Sequence, residues 1–208
     1  MKIDFVSDVA CPWCAIGLNA LEQALARLDG VVQAEIRFLP FELNPQMPPE
    51  GEEIVEHLTR KYGIGPAEVE RNAEAIRQRG ASVGFVFGQG KRRRIYNTFD
   101  AHRLLYWAGL EGHQRALKHA LLRAYFTEGE DPSDHAILIR VAGEAGLDPS
   151  TAQAILESDR YAVEVRELER FYQDRGIHSV PSVIIDDRHL IQGGQPVEEF
   201  ERALRQLA

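Results

Sequence analysis

Cysteine is almost missing from this sequence: there are two in 208 residues, Cys11 and Cys14. One pair cannot supply the disulfide framework that holds small secreted domains together. Nor can it supply the four ligands of a structural zinc site, since His57, His102, His113, His119, His135, His178 and His189 show no finger-like spacing. No metal is therefore expected. Basic residues are also in short supply, with 24 Lys and Arg against 32 Asp and Glu and a formal net charge of -8. Without a broad basic field to neutralise phosphates, nucleic acid is excluded as the main partner. Long apolar runs are absent too, so no membrane span is expected. The opening Met1-Lys2-Ile3-Asp4-Phe5 carries an acid and runs almost directly into the cysteines, leaving no room for the parts of a secretory leader. This reading predicts a cytoplasmic protein.

What is present is an ordinary globular composition, 44% hydrophobic and 27% charged, without internal repeats or low-complexity tracts. Ile3 and Phe5 alternate with Lys2 and Asp4, which predicts a short strand. Leu18, Leu21, Leu25 and Leu28 then repeat at a helical period, and Gly30 closes that helix. Val32, Ala34, Ile36 and Phe38 alternate as a second strand. The opening is thus βαβ, with the cysteines at the strand-to-helix junction.

Asn44-Pro45-Gln46-Met47-Pro48-Pro49 marks a boundary. From about residue 52 to 158 the pattern is almost wholly helical. One helix is expected from Glu52 and Glu53 to Gly63, another from Pro66 to Gly80, and a third capped by Thr98. Later helices carry Leu117, Leu121 and Tyr125, then Ile137, Leu138 and Val141 after a Ser133 cap. A helix through Val165, Leu168 and Phe171 is followed by the apolar strand Val180–Ile185, an Asp186-Asp187 turn, and His189-Leu190-Ile191. The last helix follows Pro196 and is lined by Val197, Phe200, Leu204 and Leu207. The order βαβ, insertion, αββα predicts an α/β protein with a thioredoxin fold interrupted by an all-helical insertion. Residues 1–44 and 160–208 would form the thioredoxin-like part and 45–159 the insertion.

Cys11-Pro12-Trp13-Cys14 gives the chemistry. The reactive species in disulfide exchange is a thiolate, and a helix N-terminus offers free N–H groups and the positive end of a dipole to an anion. Pro12 is tolerated in the first turn. Cys14, one turn on, faces back toward Cys11 but is more covered. The asymmetry assigns Cys11 as the exposed nucleophile and Cys14 as the resolving thiol. Trp13 offers a flat apolar surface to a peptide-like substrate, or else packs on the insertion. Pro181 removes a ladder donor from a strand that reads as central. A cis Val180–Pro181 bond at a bend would account for it and leave the Val180 backbone free to pair with an extended substrate beside Cys11; a strand-edge proline is the alternative.

Other residues carry weaker signals. Asp8 reads first as a polar turn residue and second as a carboxylate able to raise a thiol pKa or relay a proton from Cys14. Asp100 and His102 are two apart and do not share a helix face, so they form no dyad; His102 alone could face the cleft. Gly88-Gln89-Gly90-Lys91-Arg92-Arg93-Arg94 lacks the spacing of a phosphate loop. It reads as a solvated turn, with attraction of an acidic substrate or of glutathione carboxylates as the second reading.

Four stretches together resemble a known family. Ser7-Asp8-Val9-Ala10-Cys11-Pro12-Trp13-Cys14 looks like the opening of DsbA-family oxidoreductases, in particular the FrnE-like branch. Asn97-Thr98-Phe99-Asp100-Ala101-His102-Arg103-Leu104 resembles a signature in that branch's helical insertion. Val180-Pro181-Ser182 matches the family's cis-proline loop, and Gly193-Gly194-Gln195-Pro196 its last strand-to-helix junction. The resemblance implies disulfide exchange through Cys11, with Pro12, Trp13, Val180 and Pro181 meeting substrate and Asp8, Asn97 and His102 behind them. It implies protein or peptide thiols as partners, no bound cofactor, glutathione as a candidate co-substrate, and a monomer or homodimer. Related 2-hydroxychromene-2-carboxylate isomerases and kappa-class glutathione transferases typically carry serine at the position of Cys11, which makes a glutathione-dependent isomerase or transferase the alternative. Periplasmic members place a histidine between the cysteines. Trp13 cannot donate as that histidine does, so a less oxidising couple is expected here.

Overall fold

The computed structural model describes all 208 residues. Strand β1 (Lys2–Ser7) leads through a tight loop into helix α1 (Pro12–Arg27) and back into β2 (Glu35–Pro40). The second strand runs two to three residues later than its alternation suggests, because its pairing is set by β1: Lys2 lies opposite Glu35 and Ser7 opposite Pro40, in parallel. At the other end of the chain β5 (Ser182–Ile185) and β6 (His189–Gln192) form a hairpin, followed by α9 (Val197–Leu207). Asp186 and Asp187, both at positive φ, make its turn. The sheet order is β2-β1-β5-β6, with β5 antiparallel to both neighbours. Helices α1 and α9 pack on the same sheet face, burying Leu18, Leu21, Phe200 and Leu204 against Ile3, Phe5, Val183 and Ile185. This is a thioredoxin fold.

Between the halves lie α2 (Ile54–Tyr62), α3 (Pro66–Ser82), α4 (Phe99–Leu110), α5 (Gln114–Leu122), a π-helical turn (Arg123–Glu128), α6 (His135–Glu144) and α7 (Pro149–Leu156); α8 (Ala162–Gln173) leads back to the sheet. The insertion is not all-helical, as expected above. Strands β3 (Glu52–Glu53) and β4 (Arg94–Ile95) form a small antiparallel ladder. Glu53 consequently caps α2, accepting from Glu56 N–H at 2.9 Å, rather than standing inside it. The cap of α6 is likewise Asp134, not Ser133; its carboxylate accepts from Ala136 and Ile137 N–H. Thr98 makes no side-chain cap, and Asn97 Oδ1 takes the Phe99 N–H instead.

The insertion does not stand apart from the thioredoxin elements. Val83, Phe85, Leu122, Tyr125 and Phe126 belong to the same buried cluster as α1 and the sheet. Val9, next to the cysteines, is buried in the second cluster with α4 to α7. The arginine-rich turn helps fasten it. Arg92 stacks over Tyr125 and Phe126, Arg94 donates to the Glu50 and Gly51 carbonyls, and Gly88 N–H donates to Phe126 O. Gly88, Arg92 and Arg94 are thus held by the fold, while Lys91 and Arg93 are exposed.

Candidate active site

The site forms where β1 ends and α1 begins. Cys11 is the N-cap residue of α1, with extended backbone, and its carbonyl accepts from Cys14 and Ala15 N–H at 3.1 and 3.4 Å. Pro12 follows in the first turn, where its missing donor costs nothing. The Val180–Pro181 peptide is cis, and the Cys11 thiol donates to the Val180 carbonyl across 3.7 Å. The three sequence-distant features expected to meet, the Cys pair, Val180 and Pro181, do meet.

Both cysteines are free thiols. Cys14 is fully buried, as the resolving position requires, but Cys11 is only 4% exposed. The expectation of an exposed nucleophile is corrected: Val180 and the turn of chain around Cys11 cover all but an edge of the residue. Burial pushes the Cys14 thiol well above its ordinary pKa, and its hydrogen bond and charge interaction with Cys11 push it further.

Two glycines permit the close approach. A Cβ on Gly17 of α1 would lie 3.1 Å from Pro181 Cγ and 3.3 Å from Gly194 Cα; one on Gly194 would lie 3.0 Å from the Trp13 carbonyl. A glycine in mid-helix and a double glycine before the last helix were the signals for this contact. Trp13, next but one to Cys11, is 41% exposed, and Tyr62, the last residue of α2, is 59% exposed. Both are free to meet a substrate, and sequence reading found only Trp13.

Asp8 holds a turn, as read from the sequence, but it is buried. Its carboxylate is buried and accepts from Ala10 N–H at 3.2 Å and Leu43 N–H at 2.8 Å, with His102 Nε2 at 3.4 Å. Burial raises its pKa, but hydrogen bonds and charge from His102, with the Leu43 amide and Thr98, outweigh that and hold it below the usual carboxylate value. His102 is buried as well, 3.1 Å from the Phe41 carbonyl. It faces Asp8 and also lines a cavity, while Asp100 pairs with Arg103 and His135. Asn97 reaches Glu42 rather than the cysteines, at 3.4 Å.

Glu42 forms a second buried group with Arg166 and Glu169, the arginine contacting both carboxylates. Burial and the charge of Glu169 raise the Glu42 pKa to about 7. A folded-state value above the unfolded one means that the native state binds more protons, so stability is highest below the unfolded pKa. Stability should therefore decline as pH rises from about 4.5, the ordinary value, to about 7. Urea titrations across that range check this, and Glu42→Gln should flatten this part of the profile.

Of two cavities of about 470 and 480 Å³, one is lined by Arg37, Phe38, His102, Leu105, Arg115 and Lys118, the other by Phe85, Val86 and Arg123. Neither is lined by Cys11, Trp13 or Pro181.

Comparison with known proteins agrees with this fold. An uncharacterized protein of Bacillus subtilis, YwbO, is 28% identical over 207 residues, 98% of this chain and 96% of that one. The crystal structure of a probable DsbA oxidoreductase from Streptomyces coelicolor matches with a TM-score of 0.93 at 32% identity, covering 99% of this chain and 89% of that one. The cytosolic disulfide reductase DsbM of Pseudomonas aeruginosa, solved with glutathione, shares the fold with a TM-score of 0.68 at 16% identity, over 100% of this chain and 98% of that one. A profile described as a DSBA-like thioredoxin domain matches residues 2–205. The chain belongs to the DsbA-like thioredoxin family of oxidoreductases.

Proposed function

We propose that this protein exchanges disulfides with protein or peptide substrates, with Cys11 as the nucleophile and Cys14 as the resolving thiol. The observation that carries the reading is the placement of Cys11 at the start of α1, against the Val180 carbonyl and beside Pro181. Cys11 thiolate attacks one sulfur of a substrate disulfide, forming a mixed disulfide and releasing the other sulfur as thiolate. Cys14, deprotonated, then attacks Cys11 Sγ, forming the Cys11–Cys14 disulfide and releasing the second substrate thiolate. The substrate has gained two electrons and the enzyme has lost them; the reverse sequence oxidises a dithiol. An extended peptide could pair with Val180 while its side chains rest on Trp13 and Tyr62.

Glutathione fits as a thiol co-substrate, and the DsbM complex supports testing it first. A small aromatic substrate of the isomerase type would need an enclosing pocket at the thiol. Cys11 lines neither of the two cavities described above, which favours exchange over isomerisation.

The test is trapping. Cys14→Ser incubated with glutathione disulfide should gain one glutathionyl group at Cys11, stable until a thiol is added. Tight glutathione binding by wild type with no adduct in Cys14→Ser would instead favour the glutathione-dependent isomerase or transferase reading.

A further inference from the structure

The cavity of about 470 Å³ between β2 and helices α4 and α5 has the size of pockets that hold small molecules. Leu110, 64% exposed, and the exposed Arg115 stand at its rim, while the fully buried Lys118 forms part of its floor. The wall along β2 and α4 is apolar through Phe38, Leu105 and Tyr106. Charge in the lining is basic on balance, with Arg37, Arg115 and Lys118 against Glu35 alone, in a chain whose net charge is -8. The other nitrogen-bearing side chains of the lining have partners. Arg37 holds Asp4 through two hydrogen bonds, and Arg115 holds Glu22. The Gln114 amide pairs with both the N–H and the C=O of Phe38, and His102 Nε2 lies 3.1 Å from the Phe41 carbonyl. Lys118 Nζ has no partner, although an ammonium offers three donors. Asp8, whose charge acts on Lys118, is engaged by Ala10, Leu43 and His102 and makes no hydrogen bond to it. A buried amine without an acceptor is costly to keep, and here it borders a cavity that an acceptor can enter.

We propose that this cavity binds a small monocarboxylate with an apolar body, its carboxylate accepting from Lys118 Nζ and its body lying along Phe38, Leu105 and Tyr106. One unpartnered cation calls for one negative charge. A phosphate dianion would bury a second charge without a partner, because Arg37 and Arg115 are already engaged. A cationic ligand would meet Lys118 as a like charge. A short polar anion would leave the apolar wall uncovered, and an uncharged apolar molecule would leave the Lys118 amine unpaired. Burial pushes the Lys118 ammonium down, and a bound carboxylate opposes that shift by favouring the charged form. Cys11, Trp13 and Pro181 do not line the cavity, so its ligand is a second kind of partner and not the substrate of exchange.

Binding needs no thiol chemistry, so the test stands apart from the exchange reaction. The reduced, full-length protein is titrated by calorimetry with octanoate, and separately with acetate, octanol and octylammonium. Octanoate should bind saturably, one molecule per chain, and raise the unfolding temperature. Acetate lacks the apolar body and octanol the charge, so each should bind at least about tenfold more weakly, the scale of one charged hydrogen bond. Octylammonium should bind more weakly still. Lys118→Met keeps most of the length and packing while removing the amine. It should weaken octanoate at least about tenfold and leave octanol binding as strong as in wild type or stronger, a split that a damaged fold would not produce. Leu110→Trp changes only the exposed rim, so it should fold whatever happens to Lys118→Met, and by narrowing the entrance it should weaken octanoate and octanol alike. No saturable binding of octanoate, octanoate bound no better than octanol, or octanoate affinity unchanged in Lys118→Met would each overturn the proposal.

Discussion

Cys11→Ser should abolish disulfide exchange, with a loss of at least about 1000-fold, the scale on which removing a nucleophile acts. A hydroxyl cannot form the sulfur–sulfur bond on which every step depends. Cys14 cannot take over, because it is fully buried and its thiol is pushed well above its ordinary pKa. Folding should survive the change. The Cys11 thiol donates to Val180 O across 3.7 Å and interacts with Cys14, contacts a serine hydroxyl can replace, so stability should stay within about 1 kcal/mol of wild type. Insulin reduction or glutathione exchange assays, with thermal unfolding alongside, separate a lost nucleophile from a lost fold.

Asp8→Ala should have the largest effect on stability. The carboxylate joins three parts of the chain: the β1–α1 loop through Ala10, the segment after β2 through Leu43, and α4 through His102. Removing it leaves the Leu43 and Ala10 amides without their acceptor in a buried place, and His102 with the Phe41 carbonyl alone. A cost of about 3 kcal/mol is expected, with a fall in Tm on the order of 10 °C for a chain of this size. The sign of the pH dependence is also fixed. The folded-state pKa lies below the ordinary carboxylate value, so the stabilisation is present above the unfolded pKa and is lost as pH falls through the folded one. Asp8→Asn should remove that acid-side decline, whereas a surface turn residue would show neither effect.

The fold was legible wherever side-chain periodicity was strong. Ile3 and Phe5, the Leu18 to Leu28 repeat, and the apolar run ending at Ile185 lie in β1, α1 and β5. The β3–β4 ladder was not legible, because two residues per strand leave no alternation to see. The shift of β2 was hidden for a related reason: alternation shows which residues pair with a core, while register is fixed by a distant strand. At the site, Cys11 and Cys14 were evident from spacing, and Pro181 from its conflict with a central strand. Asp8 and His102 were harder, since polar residues near turns are usually solvated, and only the packing of α4 against the β2 exit buries them. Lys118 had a signal that could have been used. Positions 118, 121, 122 and 125 fall at helical spacing on one side, and Leu121, Leu122 and Tyr125 are all core residues. A lysine on that stripe is either a snorkelling side chain or a buried one.

The central claim is that Cys11 and Cys14 form one reversible redox couple. Its most direct test is equilibration of the wild-type protein with glutathione buffers of graded ratio, followed by counting free thiols after acid quench and alkylation. A single two-electron transition is expected, in which the Cys11 and Cys14 thiols are lost and regained together, at a potential less oxidising than that of the periplasmic relatives with a histidine between their cysteines. Two free thiols at every buffer ratio, or only a stable glutathione adduct at Cys11 with Cys14 untouched, would contradict it.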